Sequence, residues 1–328
     1  MKKLLSAGLC LSMFLLAGCQ GQPQDTTLTI TDQAGREVTF EEPCQTAASG
    51  YYITTTIMIG LQQQDKLTGI EMKPETRPIY AKAAEEILDL PQLGNKKMFN
   101  VEECAKADPD VVFLPVSLES YVEELEALDI PVVLLEPETA DDFEEAVEII
   151  GKVMGCEDKV DEYKQYEEDL LEKYELDEVE EEPTVYFAGS DLLTCATDDM
   201  YQGEILSYAQ ADNAIDAEES SWVNIDIETL LAANPDYVFI EAGSLSADDF
   251  KNDARVQELQ AVQNDHVYVF PSTLETWDTP SLSSCLGKLW AASILHPELV
   301  SMDDVEAEAV AFYEQFYGFT PEAQDLAL

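Results

Sequence analysis

Between Leu28 and Phe40, apolar and polar residues alternate on both sides of Gln33-Ala34-Gly35. A period of two around such a turn predicts a β-hairpin. Further on, the pattern becomes short β-forming or apolar runs separated by stretches with apolar residues three and four apart. The runs around Thr46 to Ser49, Lys66 to Ile70, Val111 to Leu114 and Ile130 to Leu135 predict strands. Val122 to Leu128 and Phe143 to Val153 predict helices, the second stopping near Gly155. Strands alternating with helices in this way indicate βαβ units and a mostly parallel sheet.

The pattern also repeats. Val101-Glu-Glu-Cys-Ala-Lys-Ala-Asp-Pro-Asp-Val-Val-Phe-Leu114 matches Ile227-Glu-Thr-Leu-Leu-Ala-Ala-Asn-Pro-Asp-Tyr-Val-Phe-Ile240 at an offset of 126 residues. Each copy starts from a side chain able to cap a helix, Asn100 or Asp226. Glu103 adds a capping-box pattern to the first. Each then reads helix, Pro-Asp turn, buried strand. One module used twice implies two α/β lobes. Between the copies, Val160, Tyr163, Tyr166, Leu170, Leu171 and Tyr174 stand at helical spacing with few breakers before Pro183. This predicts one long helix joining the lobes. The fold class expected is therefore α/β: two Rossmann-like lobes with mostly parallel sheets. The first lobe would span 28–156, the joining helix 157–182 and the second lobe 183–328.

Composition narrows the function. The chain of 328 residues is 46% hydrophobic and carries 17 Lys and Arg against 68 Asp and Glu, a formal charge of −51. Such a surface repels phosphate and excludes a nucleic-acid binder. Two histidines exclude a histidine-rich metal site. No Ser-His-Asp set or phosphate-cradling Gly-rich loop points to an enzyme, and no cofactor is called for. At the start, Lys2 and Lys3 precede the apolar run Leu4 to Ala17, a secretory signal too short to span a membrane comfortably. It ends Leu16-Ala17-Gly18-Cys19, which resembles the lipobox of bacterial lipoproteins. That resemblance implies a signal over 1–18, lipidation of Cys19 and a tether over 19–27. The body would then sit outside the cytoplasm on a membrane anchor, in a periplasm or on an outer cell surface. Cys44, Cys104, Cys156, Cys195 and Cys285 follow no bridging pattern and read as small buried residues.

Several further stretches carry a more specific resemblance. They are Ile30-Thr-Asp-Gln-Ala-Gly-Arg-Glu-Val-Thr39, Leu67-Thr-Gly-Ile70, Leu90-Pro-Gln-Leu-Gly94, the two Pro-Asp modules, Asp265-His-Val-Tyr-Val-Phe270 and Leu289-Trp-Ala-Ala-Ser-Ile-Leu-His-Pro-Glu298. In this order the chain resembles the class III substrate-binding lipoproteins of bacterial ABC importers, which deliver iron chelates, haem and cobalamin. The resemblance implies a ligand cleft between the lobes. The implied partners are an ABC permease and its ATPase. The first-ranked ligand is a ferric siderophore-type chelate, followed by haem or a corrinoid and then an oxyanion such as molybdate. A surface sensor or adhesin on the same scaffold is the alternative of another class. The resemblance also implies acidic residues that dock on the permease, Glu119 on the first lobe and Asp248 or Asp249 on the second.

Ligands of open α/β sheets bind beyond the carboxyl ends of the strands. The loops expected there hold Tyr51, Tyr52, Lys73, Arg77 and Tyr80 in the first lobe and Tyr201, Trp222 and Trp277 in the second. Arg77 is one of three arginines. Lys73 to Lys97 holds five basic and four acidic residues, a local +1 in a strongly negative chain. An arginine there suits a carboxylate or oxyanion, and the aromatic rings suit a flat ligand. His266 precedes a strand, His296 ends a helix and Trp290 falls in an apolar helical run, so all three read as structural.

Overall fold

The computed structural model describes residues 27–328 apart from 175, 177, 178, 180, 216, 218–221 and 272. The proposed signal over 1–18, Cys19 and nearly all of the tether lie outside the described residues. No described helix is long and apolar enough to cross a membrane.

Strands β1 (Leu28–Thr31) and β2 (Glu37–Phe40) form the expected hairpin. Its turn is held by Asp32, whose carboxylate accepts the N–H groups of Ala34 and Arg36. The same carboxylate accepts Leu134 N–H, which docks the hairpin on the first sheet. Strands β3 (Ala47–Ser49), β4 (Leu67–Gly69), a β5–β6 hairpin (Gly94–Asn95, Met98–Phe99), β7 (Val111–Pro115) and β8 (Val132–Leu135) follow. The first main sheet is parallel in the order β4-β3-β7-β8. The second half supplies β9 (Thr184–Ala188), β10 (Thr194–Cys195), β11 (Asp212–Asn213), β12 (Val223–Asn224), β13 (Tyr237–Ile240) and β14 (Val267–Val269). Its order is β12-β10-β9-β13-β14, with β11 also on β9. Pairings among β11, β9, β13 and β14 are parallel, whereas β10 and β12 form an antiparallel edge.

The two Pro-Asp modules do equivalent work. Asn100 and Asp226 accept from the backbone N–H of Glu103 and Thr229. Each helix closes on a left-handed residue, Asp108 at φ 50° or Asn234 at φ 43°. The aspartate of each Pro-Asp pair then clamps the neighbouring strand. Asp110 Oδ2 accepts the N–H groups of Gln45 and Thr46 at 2.9 Å, and Thr46 Oγ1 accepts Asp110 N–H at 3.0 Å. In the second lobe Asp236 Oδ2 accepts Thr184 N–H at 3.0 Å and its hydroxyl at 2.9 Å, and Thr184 Oγ1 accepts Asp236 N–H at 3.1 Å. The capping box expected of Glu103 does not form. Asn100 N–H already donates to Leu93 O at 2.7 Å, and the Glu103 carboxylate pairs with Lys106.

Helix Ala140–Met154 ends at Gly155 in the left-handed region, φ 64°. A Cβ there would also stand 2.8 Å from Pro43. The joining helix runs Glu157–Lys173, shorter than the expected span to 182. Tertiary partners end it. The hydroxyl of Tyr174 donates to Glu308 and its carbonyl accepts from Tyr208. The acid run beyond is also a poor helix former, since like charges three and four apart repel.

One apolar cluster continues from the first lobe, with Ile57 and Met58, through Tyr163 and Leu170 of the joining helix to Trp290, Phe312 and Phe316. Helix Tyr52–Gly60 comes so close to the second half that a Cβ on Gly60 would meet Leu282 at 2.6 Å. A core shared between the lobes opposes a wide opening. All five described cysteines are buried thiols, as the sequence suggests.

Asp236→Ala removes two hydrogen bonds at the start of β9 and a third from Gln260. It should lower the unfolding free energy in urea by roughly 2 kcal/mol. Thr184→Val, which keeps the backbone bond, should cost less.

Candidate functional site

The carboxyl ends of the parallel strands of both sheets bring the loops of one cleft together. From β3 the chain passes through Gly50 into Tyr51 and Tyr52. A Cβ on Gly50 would lie 2.6 Å from Leu114 and 3.0 Å from Phe99, so glycine lets these side chains close over the exit. From β8 it reaches Glu136 and Glu138, and from β13 Glu241 and Ala242. Beyond β9, the Trp222 indole lies over Gly189, where a Cβ would meet the ring at 2.5 Å.

A buried carboxylate organises the first-lobe side. Glu71 follows β4 and is 5% exposed. It accepts the Tyr80 hydroxyl at 2.7 Å on Oε1 and the Thr55 hydroxyl at 2.7 Å on Oε2. Thr55 Oγ1 lies 2.8 Å from Ser49 Oγ, and that hydroxyl donates to Tyr51 O at 2.8 Å. Arg77 Nε meets Glu71 Oε1 at 3.4 Å, while the guanidinium carbon sits 3.9 Å above the Tyr52 ring. Cation–π contact and ion pair together fix the fork. The Arg77 Nη groups have no ion pair among the described residues. About a third of the side chain is exposed, so these two donors are available to an anion.

Tyr51 and Tyr52 pack edge to face with ring centroids 5.3 Å apart and separate two chambers. One, of about 210 Å³, lies between the lobes. Arg77, Thr56 and Thr76 line it from the first lobe, and Glu275, Thr276 and Thr279 from the second. The other, of about 270 Å³, is lined by Tyr51, Lys96, Lys97, Ser117, Glu136 and Glu138. Burial raises the pKa of both tyrosines, so their phenols stay protonated. Burial also raises the Glu241 carboxyl. It pushes Asp278 up to about 7, although Ala242 N–H donates to its Oδ2 at 2.8 Å. Glu275 is likewise pushed up to about 7 by burial. The cleft thus pairs a fixed guanidinium with acids whose carboxyls are raised by burial.

The residues expected in the cleft are placed differently by the structure. Tyr51, Tyr52 and Arg77 line its chambers, whereas Trp222 lies over Gly189 beyond β9 and lines neither. Tyr80 lies behind the cleft, 0% exposed and spent on Glu71. Lys73 stands exposed in a left-handed turn, φ 64°, with its N–H on Gln92, and lines neither chamber. Two others are displaced by packing. Trp277 is 0% exposed and donates its indole N–H to Tyr313 at 3.0 Å. Tyr201 is buried at the start of helix Tyr201–Tyr208, its hydroxyl bonded to Ser284 and its ring against Phe143. Each belongs to the core because its polar tip finds a buried partner, and no spacing in the chain reveals that. Glu71, Thr55 and Glu275 are the residues that sequence reasoning missed. An acid just after a strand was the available signal for Glu71, hidden among 68 acids.

Glu119 is exposed in the helical turn after β7. In the second lobe Ser246 caps the helix, accepting Asp249 N–H and donating to the Asp249 carboxylate, while Asp248 is 89% exposed and only loosely paired to Lys251 at 3.8 Å. His266 and His296 each turn a ring nitrogen to a backbone carbonyl, of Asp236 and Ala209. Trp290 is core, 3% exposed.

These placements give an optical test. Trp222 is the one partly exposed tryptophan of the three. Trp222→Phe should remove most acrylamide-quenchable emission and leave the fold intact by circular dichroism. Quenching that survives this change would place Trp277 or Trp290 at the surface instead.

The model of the periplasmic binding protein family matches residues 48–274, more than half of the chain. Molybdate-binding protein MolA of Haemophilus influenzae is 23% identical over 317 residues, covering 88% of this chain and 90% of MolA. Among solved structures, a periplasmic solute-binding protein of Veillonella parvula is 19% identical, with a TM-score of 0.78, covering 92% of this chain and 97% of its own. Molybdate-bound MolA has a TM-score of 0.76 at 22% identity, covering 90% of this chain and 99% of its own. The Ni-His complex of Helicobacter pylori CeuE has a TM-score of 0.72 at 18% identity, covering 91% and 97%. The chain therefore belongs to the periplasmic binding protein family, as a substrate-binding component of an ABC importer that works outside the cytoplasm with a permease and an ATPase, and is not an enzyme.

Proposed function

We propose that the ligand is a compact anion, with a tetrahedral oxyanion such as molybdate first. The observation that carries this is Arg77, fixed by Glu71 and Tyr52 with its Nη donors turned loose in a small chamber of hydroxyls. At about 210 Å³ the chamber is below the usual range for drug-sized ligands. Trp277, Tyr80 and Tyr201 are buried, which takes away most of the aromatic argument for a macrocycle. The molybdate-binding relative supports the same choice. A ferric siderophore-type chelate is the second reading, favoured by the neighbouring chamber with Tyr51, Lys96 and Lys97. A polyanionic chelate would use both chambers.

In this reading residues 1–18 are a signal, Cys19 carries lipid, and the lobes over 28–156 and 183–328 tilt modestly about the shared core. Glu119 and Asp248 are the docking acids for the permease. Asp249 is the weaker candidate because its carboxylate already serves Ser246.

Calorimetric titration of the chain from residue 20 with molybdate, tungstate, sulfate, a ferric catecholate, haem and cobalamin tests the ligand. A compact oxyanion should bind saturably, and Arg77→Ala should weaken it at least about tenfold, the loss of a charged hydrogen bond. Binding of haem or cobalamin alone, unaffected by Arg77→Ala, would overturn the reading.

A further inference from the structure

The chamber that holds Arg77 has a second ionisable residue in its lining, with the carboxyl set behind the wall. Glu275 lines it from the segment between β14 and helix Ser284–Leu295. Both of its carboxyl oxygens are buried and neither makes a hydrogen bond. Among the described residues no lysine or arginine pairs with it. Arg77 of the same chamber is engaged by Glu71. The hydroxyls of Ser283 and Tyr317 face the carboxyl and oppose its protonation, but without hydrogen-bond geometry. A carboxylate taken out of water with so little compensation costs several kcal/mol, and the neutral acid is the form such a site stabilises.

An anion in the chamber makes the ionised form worse still. Two like charges near one poorly solvated wall repel far more strongly than in water. The other titratable groups nearby do not cancel this. Asp278, on the same segment, is itself acidic and is also raised by burial. Glu241, across from it, is raised as well. Tyr317 and Tyr52 keep their protons.

Resting on the anion reading above, we propose that Glu275 is a specificity-determining residue of this chamber: it admits an anion while its carboxyl carries a proton and resists one when ionised, so that anion capture is coupled to uptake of one proton from solvent. The burial that pushes Glu275 up to about 7 sets the range in which the coupling operates. Below it the proton is already in place and affinity is flat. Above it a proton must be taken up for each anion bound.

The test is calorimetric titration of the wild-type chain with molybdate from about pH 6 to about pH 9, repeated in buffers of different ionisation heat. Molybdate is fully deprotonated over this range, so its own titration does not enter. Affinity should hold steady below about pH 7 and then fall by up to about tenfold per pH unit. The buffer dependence should show close to one proton taken up per molybdate at about pH 8. Glu275→Gln should bind at pH 6 and lose the slope, whereas Asp278→Asn should keep it. A flat wild-type profile without proton uptake overturns the proposal, as does an unchanged slope in Glu275→Gln or a slope lost only in Asp278→Asn. If Glu275→Gln fails to fold, uptake of close to one proton that persists in Asp278→Asn supports the proposal, and its loss there overturns it. Absence of molybdate binding at pH 6, by contrast, strikes the anion reading itself and this proposal with it.

Discussion

Two aspartates hold the architecture in register. Asp110 and Asp236 each stand in a Pro-Asp turn and grip the first residue of an adjacent strand region, Thr46 or Thr184, through its backbone and hydroxyl. Parallel strands have no tight turn to align them, so register must come from side chains and packing. With β3 locked to β7 and β9 to β13, the opposite ends of these strands deliver their loops to one place. Gly50-Tyr51-Tyr52, Glu136 and Glu241 lie in the cleft for that reason. A slip of one residue would turn every inward side chain outward.

The cleft depends in turn on a buried charge that serves orientation more than stability. Glu71 receives two hydroxyls and one guanidinium nitrogen. Such a site is expensive in desolvation, and a well-packed apolar residue would stabilise a fold at least as well. What the arrangement supplies is a fixed Arg77, held against Tyr52 with part of its fork unused. The network also reaches Ser49 and the Tyr51 carbonyl, so the loop after β3 and the guanidinium are positioned by one set of hydrogen bonds. Because the two lobes share an apolar core through the joining helix and the C-terminal helices, this geometry is largely set before any ligand arrives.

The strong negative charge of the whole chain and the proposed anionic ligand are compatible because the field at the cleft is local. Salt screens exposed charges beyond about 10 Å, whereas groups lining a chamber act at close range. Lys96, Lys97 and Arg77 face the chambers, and three nearby acids, Glu241, Glu275 and Asp278, are raised by burial. The acidic surface then bears on solubility and on partners rather than on the ligand.

The sequence by itself determined the secondary structure and its repetition. Period-two alternation marked the β1–β2 hairpin, short runs marked β3, β4, β7 and β8, and Asn100, Asp226 and Gly155 marked helix ends, because these are local effects of backbone sterics and nearest-neighbour hydrogen bonds. The matched Pro-Asp modules made two lobes legible, and the candidates Arg77, Tyr51 and Tyr52 followed from the rule that strand ends face the ligand. Only the tertiary structure decided which aromatic rings are wall and which are core. Trp277 and Tyr201 left the cleft for Tyr313 and Ser284, partners more than 30 residues away in the chain. It alone singled out Glu71 and Glu275 among 68 acids, since what distinguishes them is loss of water and the presence or absence of a partner. Both are properties of the packed surroundings, which no stretch of the chain carries on its own.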